Sequence, residues 1–200
     1  MGRPWQTLPL TVGPWLLLSG PLLALPSPQA EAAEVDEQIE EVYLTLEQAL
    51  KIVFPHSWEV TLEQITLTPE QRRRIETESG RPVSEPTVTV YIGQTQGRTD
   101  GYAVVTKEIG MYKPITSIVG ITPEGRIGEV AVMVYRESRG GDVRRKRFLS
   151  QYRGKRLTDP IRINKDIINV TGATLSVRSM NAQVRKALAI IHEVFFQEAR

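Results

Sequence analysis

Apolar positions in the early part of the chain recur at helical spacing. Ile39, Val42, Leu46, Ala49, Leu50 and Val53 share one face, and Thr45 with Gln48 fits a capping box. The span therefore holds one helix or two short ones, ended by Pro55. A second start signal follows. Thr68 is a cap residue, Pro69 suits the first helical position and Gln71 closes a capping box, which predicts a helix to about Ser79 with Gly80 past its end. The period then changes. "TVTVYI" (87–92) alternates as a half-buried strand does, and "GYAVVTKE" (101–108) follows a Gly-rich turn. "PITSIVGIT" (114–122) and "GEVAVMVYRE" (128–137) are joined by the turn "PEGRIG". Four strands with short connections predict an antiparallel meander. Further helices are predicted over 143–152, ending at Gly154, and from Thr174 onward. In the last helix Met180, Val184, Ala187, Leu188, Ile191, Val194 and Phe195 form the apolar stripe. Helices outside a run of strands predict an α+β domain, not a parallel βαβ sheet.

The first 32 residues read as an export signal. Arg3 gives a basic start, Leu16 to Leu18 and Leu22 to Leu25 give an apolar middle, and Ala30-Glu31-Ala32 fits a cleavage site. Prolines at 14, 21, 26 and 28 interrupt the run and suit a cleaved leader better than a permanent span. The expected organisation is a signal peptide over 1–32, a helical segment over 33–82 and the main domain over 83–200. An extracytoplasmic, periplasmic location follows, with membrane anchoring as the alternative if the leader is kept.

Composition then narrows the chemistry. Of 200 residues, 40% are hydrophobic and 24% charged, enough for a sizeable core. A formal net charge of +2 gives no argument for nucleic acid as partner. The chain has no cysteine, which excludes disulfides, thiolate metal sites, iron–sulfur clusters and c-type haem. His56 and His192 show no ligand spacing. No catalytic triad, P-loop or dinucleotide fingerprint is present.

The most informative stretch is "INVTGATLSVRSM" (168–180). Thr171 and Thr174 flank Gly172-Ala173 where the final helix opens. Either threonine could simply cap the helix. Alternatively, a hydroxyl is presented to a phosphate, with small residues allowing close approach, the helix N-terminus facing the charge and Arg178 one turn on. Residue types and spacing leave both readings open.

"TGATLS" resembles the [Ser/Thr]-Gly-Ala-[Thr/Ser] signature of the FMN-binding domain family. That family includes the covalently flavinylated subunits of sodium-pumping NADH:quinone reductase and of Rnf-type complexes. "GYAVVTKEIGMYKPITSIVGITPEGRIGEVAVMVYRES" and "ESRGGDVRRKRFLSQYRGK" extend the resemblance, the latter toward a soluble branch, as does "FPHSWEVTLEQITLTPEQRRRI" ahead of them. The resemblance implies FMN joined through a phosphoester to Thr174, within the turn of Thr171, Gly172, Ala173 and Leu175. A flavin transferase installs it from FAD with the help of Mg2+. Glu137 stands at the family's strand-end glutamate and could meet the ribityl or phosphate groups, or fix the turn after it. Met111 and Tyr112 could edge the isoalloxazine ring; otherwise Tyr112 packs to stabilise its loop. Two positions depart from the pattern. A Glu-Thr-Pro-Gly turn is here Glu137-Ser138-Arg139-Gly140. An aspartate six residues before the attachment threonine is here Ile168, with Asp166 two residues earlier.

The basic run at 144–147 reads as a solvated surface, Phe148 and Tyr152 as core, and Trp58 as packing. The expected function is an exported flavoprotein electron carrier. It would work between a membrane donor and an extracytoplasmic redox acceptor. The alternatives are a flavin-free accessory module of the same fold and a flavin-dependent reductase.

Overall fold

The computed structural model describes residues 41–197; the expected leader and the residues through 40 lie outside the described residues. Strands β1 (Glu41–Val42), β2 (Glu59–Thr66), β3 (Thr87–Thr95), β4 (Arg98–Ile109), β5 (Pro114–Ile121) and β6 (Ile127–Tyr135) make one sheet. Its order is β1-β6-β5-β4-β3-β2, with every pairing antiparallel. The predicted meander is β3 to β6. One correction concerns residues 59–66, which the sequence places in a helical segment. They form β2, an edge strand paired with β3 from Glu59↔Gln94 to Thr66↔Thr87. Their apolar residues sit on a strand with little cover, so the alternation that marks a half-buried strand is faint. Trp58 beside it does not pack: it is 71% exposed.

Two helices start as their capping residues dictate. In α1 (Leu46–Val53) the Thr45 hydroxyl accepts from the Gln48 N–H at 3.2 Å, and the Gln48 side chain accepts from the Thr45 N–H at 2.9 Å. In α2 (Pro69–Ser79) Thr68 and Gln71 repeat both bonds, and Gly80 at φ 69° ends the helix. Each such cap stabilises its helix by about 1 kcal/mol. The single helix predicted over 143–152 is broken instead. A 3-10 turn (Gly141–Arg144), the one-turn helix α3 (Lys146–Leu149) and a second 3-10 turn (Ser150–Tyr152) follow one another. Arg145 is extended at φ −66°, ψ 134°, and no side chain caps the start of α3. Buried Val143, Phe148, Leu149 and Tyr152 pin the segment to the core, and the Phe148 and Tyr152 rings meet edge-on at 5.7 Å. The basic run stays at the surface. Arg145 pairs with Asp142 at 2.7 Å and Arg144 lies over the Tyr43 ring at 4.5 Å.

Helices cover the sheet on both faces. α1 packs on one face through Ala49 and Phe54 against Ala103, Ile118, Ala131 and Met133. Side chains at Gly120 and Gly93 would collide with Val53 (2.3 Å) and Phe54 (2.6 Å), so these glycines set how closely α1 lies. The larger core lies on the other face, beneath α2 and α4 (Thr174–Ile191). Met180, Val184, Ala187, Leu188 and Ile191 of the predicted stripe are buried there, Val194 and Phe195 are half-buried, and Val177 joins the core as well. A polar network fixes the register of α4. The buried Gln183 side-chain carbonyl accepts from the hydroxyls of Thr106 (3.2 Å) and Ser117, while its amide donates to Ser179 at 3.3 Å. Ser179 donates to the Glu108 carbonyl at 3.1 Å. Arg74 of α2 clasps buried Glu193 with bonds of 2.5 to 3.0 Å, tying α2 to the π-helical turn that extends α4. The domain is α+β, as predicted. Among the described residues no helix is long and apolar enough to cross a membrane.

Candidate functional site

The N-terminus of α4 is built by two turns and a rigid loop. Gly172 takes φ 77°, a conformation that costs a side-chain-bearing residue about 1 kcal/mol or more. Ala173 is the residue before the helix, and no side chain caps it. Neither Thr171 nor Thr174 therefore spends its hydroxyl on capping. The first backbone N–H groups of α4 have no acceptor within the helix and point out of its positive end. Thr174 Oγ1 instead accepts a hydrogen bond from Asn169 Nδ2 at 2.9 Å. The other side-chain atom of that amide, Asn169 Oδ1, is buried with no partner among the described residues. Turned over, the same amide would accept the threonine proton, so Asn169 can hold the hydroxyl in either orientation.

Tyr135 and Gly140 hold this helix end against the sheet. The Tyr135 hydroxyl donates to the Arg139 carbonyl and lies 3.0 Å from the Ser176 hydroxyl. Burial pushes its ionisation upward, so it stays a neutral donor. Gly140, at φ 82°, leaves no room for a side chain: a Cβ would lie 2.5 Å from Ser176 Oγ and 2.9 Å from the Tyr135 hydroxyl. The proline-free turn at 137–140 thus reaches the positive φ through glycine alone.

Glu137 has a role that neither reading of the sequence named. It is 8% exposed, and one carboxylate oxygen accepts from the N–H groups of Met111 (2.5 Å), Tyr112 (2.7 Å) and Lys113 (2.9 Å). It fixes the β4–β5 loop, not the turn after itself. Met111 and Tyr112 are thereby displayed to solvent, and Tyr112 at 74% exposure contributes no packing. Ile109 and, on the first turn of α4, Leu175 are also exposed apolar residues.

Thr174 opens onto a pocket of about 570 Å³. Among the described residues its lining includes Arg81, Arg162, Arg178 and Arg185, together with Asn164, Asn169 and Asn181, and no carboxylate. Of the residues picked from sequence, only Thr174 and Arg178 reach it; Met111, Tyr112, Glu137, Thr171, Gly172 and Leu175 do not line it. The loop carrying Arg162, Asn164 and Asn169 is organised by Asp166. Its carboxylate accepts from the N–H groups of Ile161 (3.0 Å) and Arg162 (2.8 Å) and pairs with Lys155 at 2.9 Å. Burial opposes the charge, but those hydrogen bonds outweigh it and hold the acid below its ordinary 3.8. Ile161 and Asn164 both take positive φ, at 44° and 61°, so the loop stores strain beside the pocket. Asp166 is therefore engaged within its own loop, while Ile168 is 77% exposed.

The sequence model of the FMN-binding domain matches residues 110–189. That stretch is similar to an FMN-binding domain. Among solved structures, the crystal structure of Shewanella oneidensis NqrC superposes with a TM-score of 0.53 over 75% of this chain and 88% of that one, at 17% identity. Identity this low speaks for the fold alone. No curated protein sequence matches. The matched stretch covers the Glu137-held loop, the Gly140 turn and Thr174, while Arg81 comes from outside it. An uncapped helix start, an uncommitted hydroxyl and guanidinium groups without a facing carboxylate suit the phosphate end of FMN. Sequence reading missed Asn169, Arg81, Arg162 and Arg185. Asn169 alone carried a signal, standing five residues before Thr174 where the motif's spacing directs attention to position six.

Proposed function

We propose that this chain is an exported electron carrier that holds FMN through a phosphoester to Thr174 Oγ1. One observation carries the reading: the helix end at Thr174 is uncapped and its hydroxyl is held by Asn169 at 2.9 Å, available for another bond. Loading forms one P–O bond to Thr174 and breaks the diphosphate bridge of a flavin dinucleotide. AMP leaves, and the hydroxyl proton passes to the Mg2+-dependent flavin transferase that does the work. Asn169 positions the oxygen, the first N–H groups of α4 stabilise the phosphate, and Arg178 adds charge from one turn away. Bound flavin supplies one- and two-electron transfer. Glu137 keeps the Met111–Tyr112 loop rigid, which fits a surface where an electron partner or ring must meet a fixed geometry. A covalent link retains the cofactor outside the cytoplasm, where the leader expected over 1–32 would send the chain. A membrane donor and an extracytoplasmic acceptor complete the path.

Ile168 favours a second reading, a flavin-free accessory module. Its position lacks the carboxylate of the family pattern, and Asp166 is already bonded to Ile161, Arg162 and Lys155. Co-expression with a flavin transferase separates the two. The carrier reading expects a denatured band that fluoresces as flavin in wild type and Thr174→Ser and is dark in Thr174→Val. A dark wild-type band beside a labelled control substrate supports the module.

A further inference from the structure

The pocket beside Thr174 gathers more positive charge than one phosphoester can use. Among the described residues four guanidinium groups line it and no carboxylate does, whereas a phosphodiester on Thr174 carries a single negative charge. Arg185 is held in place by backbone carbonyls alone: Nη2 donates to Glu78 at 2.6 Å, Nη1 to Pro160 at 3.1 Å and Nε to Ser79 at 3.4 Å. It bridges the end of α2, the 160–169 loop and α4, and no carboxylate pairs with it among the described residues. The side chains of Arg81, Arg162 and Arg178 make no hydrogen bond or ion pair among the described residues. Arg178 and Arg185 stand two helical turns apart, about 10 Å along α4. Between them lies Asn181, 7% exposed, whose side-chain carbonyl accepts from the Tyr152 hydroxyl at 2.7 Å. Its amide N–H groups are left without a partner among the described residues, on a side chain that lines the pocket. That amide is free to donate to a ligand or water in the pocket.

We propose that this pocket binds the diphosphate group of a nucleotide, noncovalently, beside Thr174. Guanidinium forks match phosphate oxygens in pairs, and cations spaced along the pocket suit two linked phosphates better than one. The volume falls in the range of small-molecule sites. Ser79, Gly80 and Arg81 precede the matched FMN-binding stretch, so the pocket belongs to this chain's α2 extension as much as to that domain. The diphosphate could come from the flavin dinucleotide presented for loading or from a free nucleoside diphosphate. Neither source requires the ester to form.

The test uses the full chain carrying Thr174→Val, which cannot be esterified, so failure of flavin attachment leaves this measurement standing. Calorimetric titration with inorganic pyrophosphate should give one saturable site, weakening as salt rises. Arg162→Gln and Arg178→Gln, both at exposed positions, should each weaken binding roughly tenfold with unchanged circular dichroism. Titrations with FAD, FMN and ADP then name the source. FAD binding well above both others indicates the flavin donor; ADP binding as tightly as FAD indicates a free nucleotide. Pyrophosphate that fails to saturate at millimolar concentration, or binds both arginine variants as tightly as the parent, overturns the proposal.

Discussion

Replacing Gly140 by alanine should disturb the start of α4 more than its single methyl suggests. Two costs add. Alanine at φ 82° loses about 1–2 kcal/mol relative to its ordinary backbone. Its Cβ would also sit 2.5 Å from Ser176 Oγ and 2.9 Å from the Tyr135 hydroxyl, inside any permitted contact. Neither neighbour is a loose chain end, because the two hydroxyls lie 3.0 Å apart and Tyr135 also bonds the Arg139 carbonyl. Overpacking of this kind costs about 1–3 kcal/mol. The sum is about 2–5 kcal/mol, or several degrees or more in melting temperature. Gly172→Ala is the control. Its φ is 77°, but an added Cβ meets nothing within 4 Å, so only the backbone term of about 1–2 kcal/mol should appear. Urea unfolding followed by circular dichroism measures both variants. Equal destabilisation of the two would refute the claim that the Gly140 turn is wedged against α4. Because Ala173 lies 3.4 Å from the same Cβ, Gly140→Ala should also slow flavin attachment at the neighbouring Thr174.

Other substitutions test other parts of the frame. Gln183→Ala opens a cavity and strips acceptors from the Thr106 and Ser117 hydroxyls, which should cost about 2–4 kcal/mol by urea unfolding; a loss under 1 kcal/mol would mean water replaces the network. Glu137→Ala leaves three loop N–H groups unbonded, so amide hydrogen exchange at 111–113 should accelerate at least tenfold while β5 stays protected. Asp166 is depressed in the folded protein, so its contribution is fully present above its ordinary 3.8 and is lost as pH falls through its lower folded value. Exchange at Ile161 and Arg162, corrected for intrinsic rate, should rise over that acid window and already be raised at neutral pH in Asp166→Asn; a flat profile would remove Asp166 as the organiser of the loop.

The parts of the fold legible in the sequence were those set by local chemistry. Thr45 with Gln48 and Thr68 with Gln71 mark their helix starts because the capping bonds lie within four residues. β3 alternates because it is only half covered, whereas β5 and β6 read as nearly continuous apolar runs because α4 covers one face of the sheet and α1 the other. β2 escaped because Val60 and Leu62 remain exposed on an edge strand, so burial wrote no clear period there. The helix predicted over 143–152 fragmented because tertiary anchoring of Phe148 and Tyr152 overrode the local pattern. At the site, the threonine motif was visible, but the arginine-lined pocket was not. Arg81, Arg162 and Arg178 are spread over nearly a hundred residues, and only the packing of α2 against α4 brings them together.

Intact-mass spectrometry of the chain matured in its native host tests the central claim most directly. The account predicts a gain equal to one FMN less one water, localised by peptide sequencing to Thr174 and absent in Thr174→Val. An unmodified Thr174 in a host whose transferase labels its other substrates would contradict it.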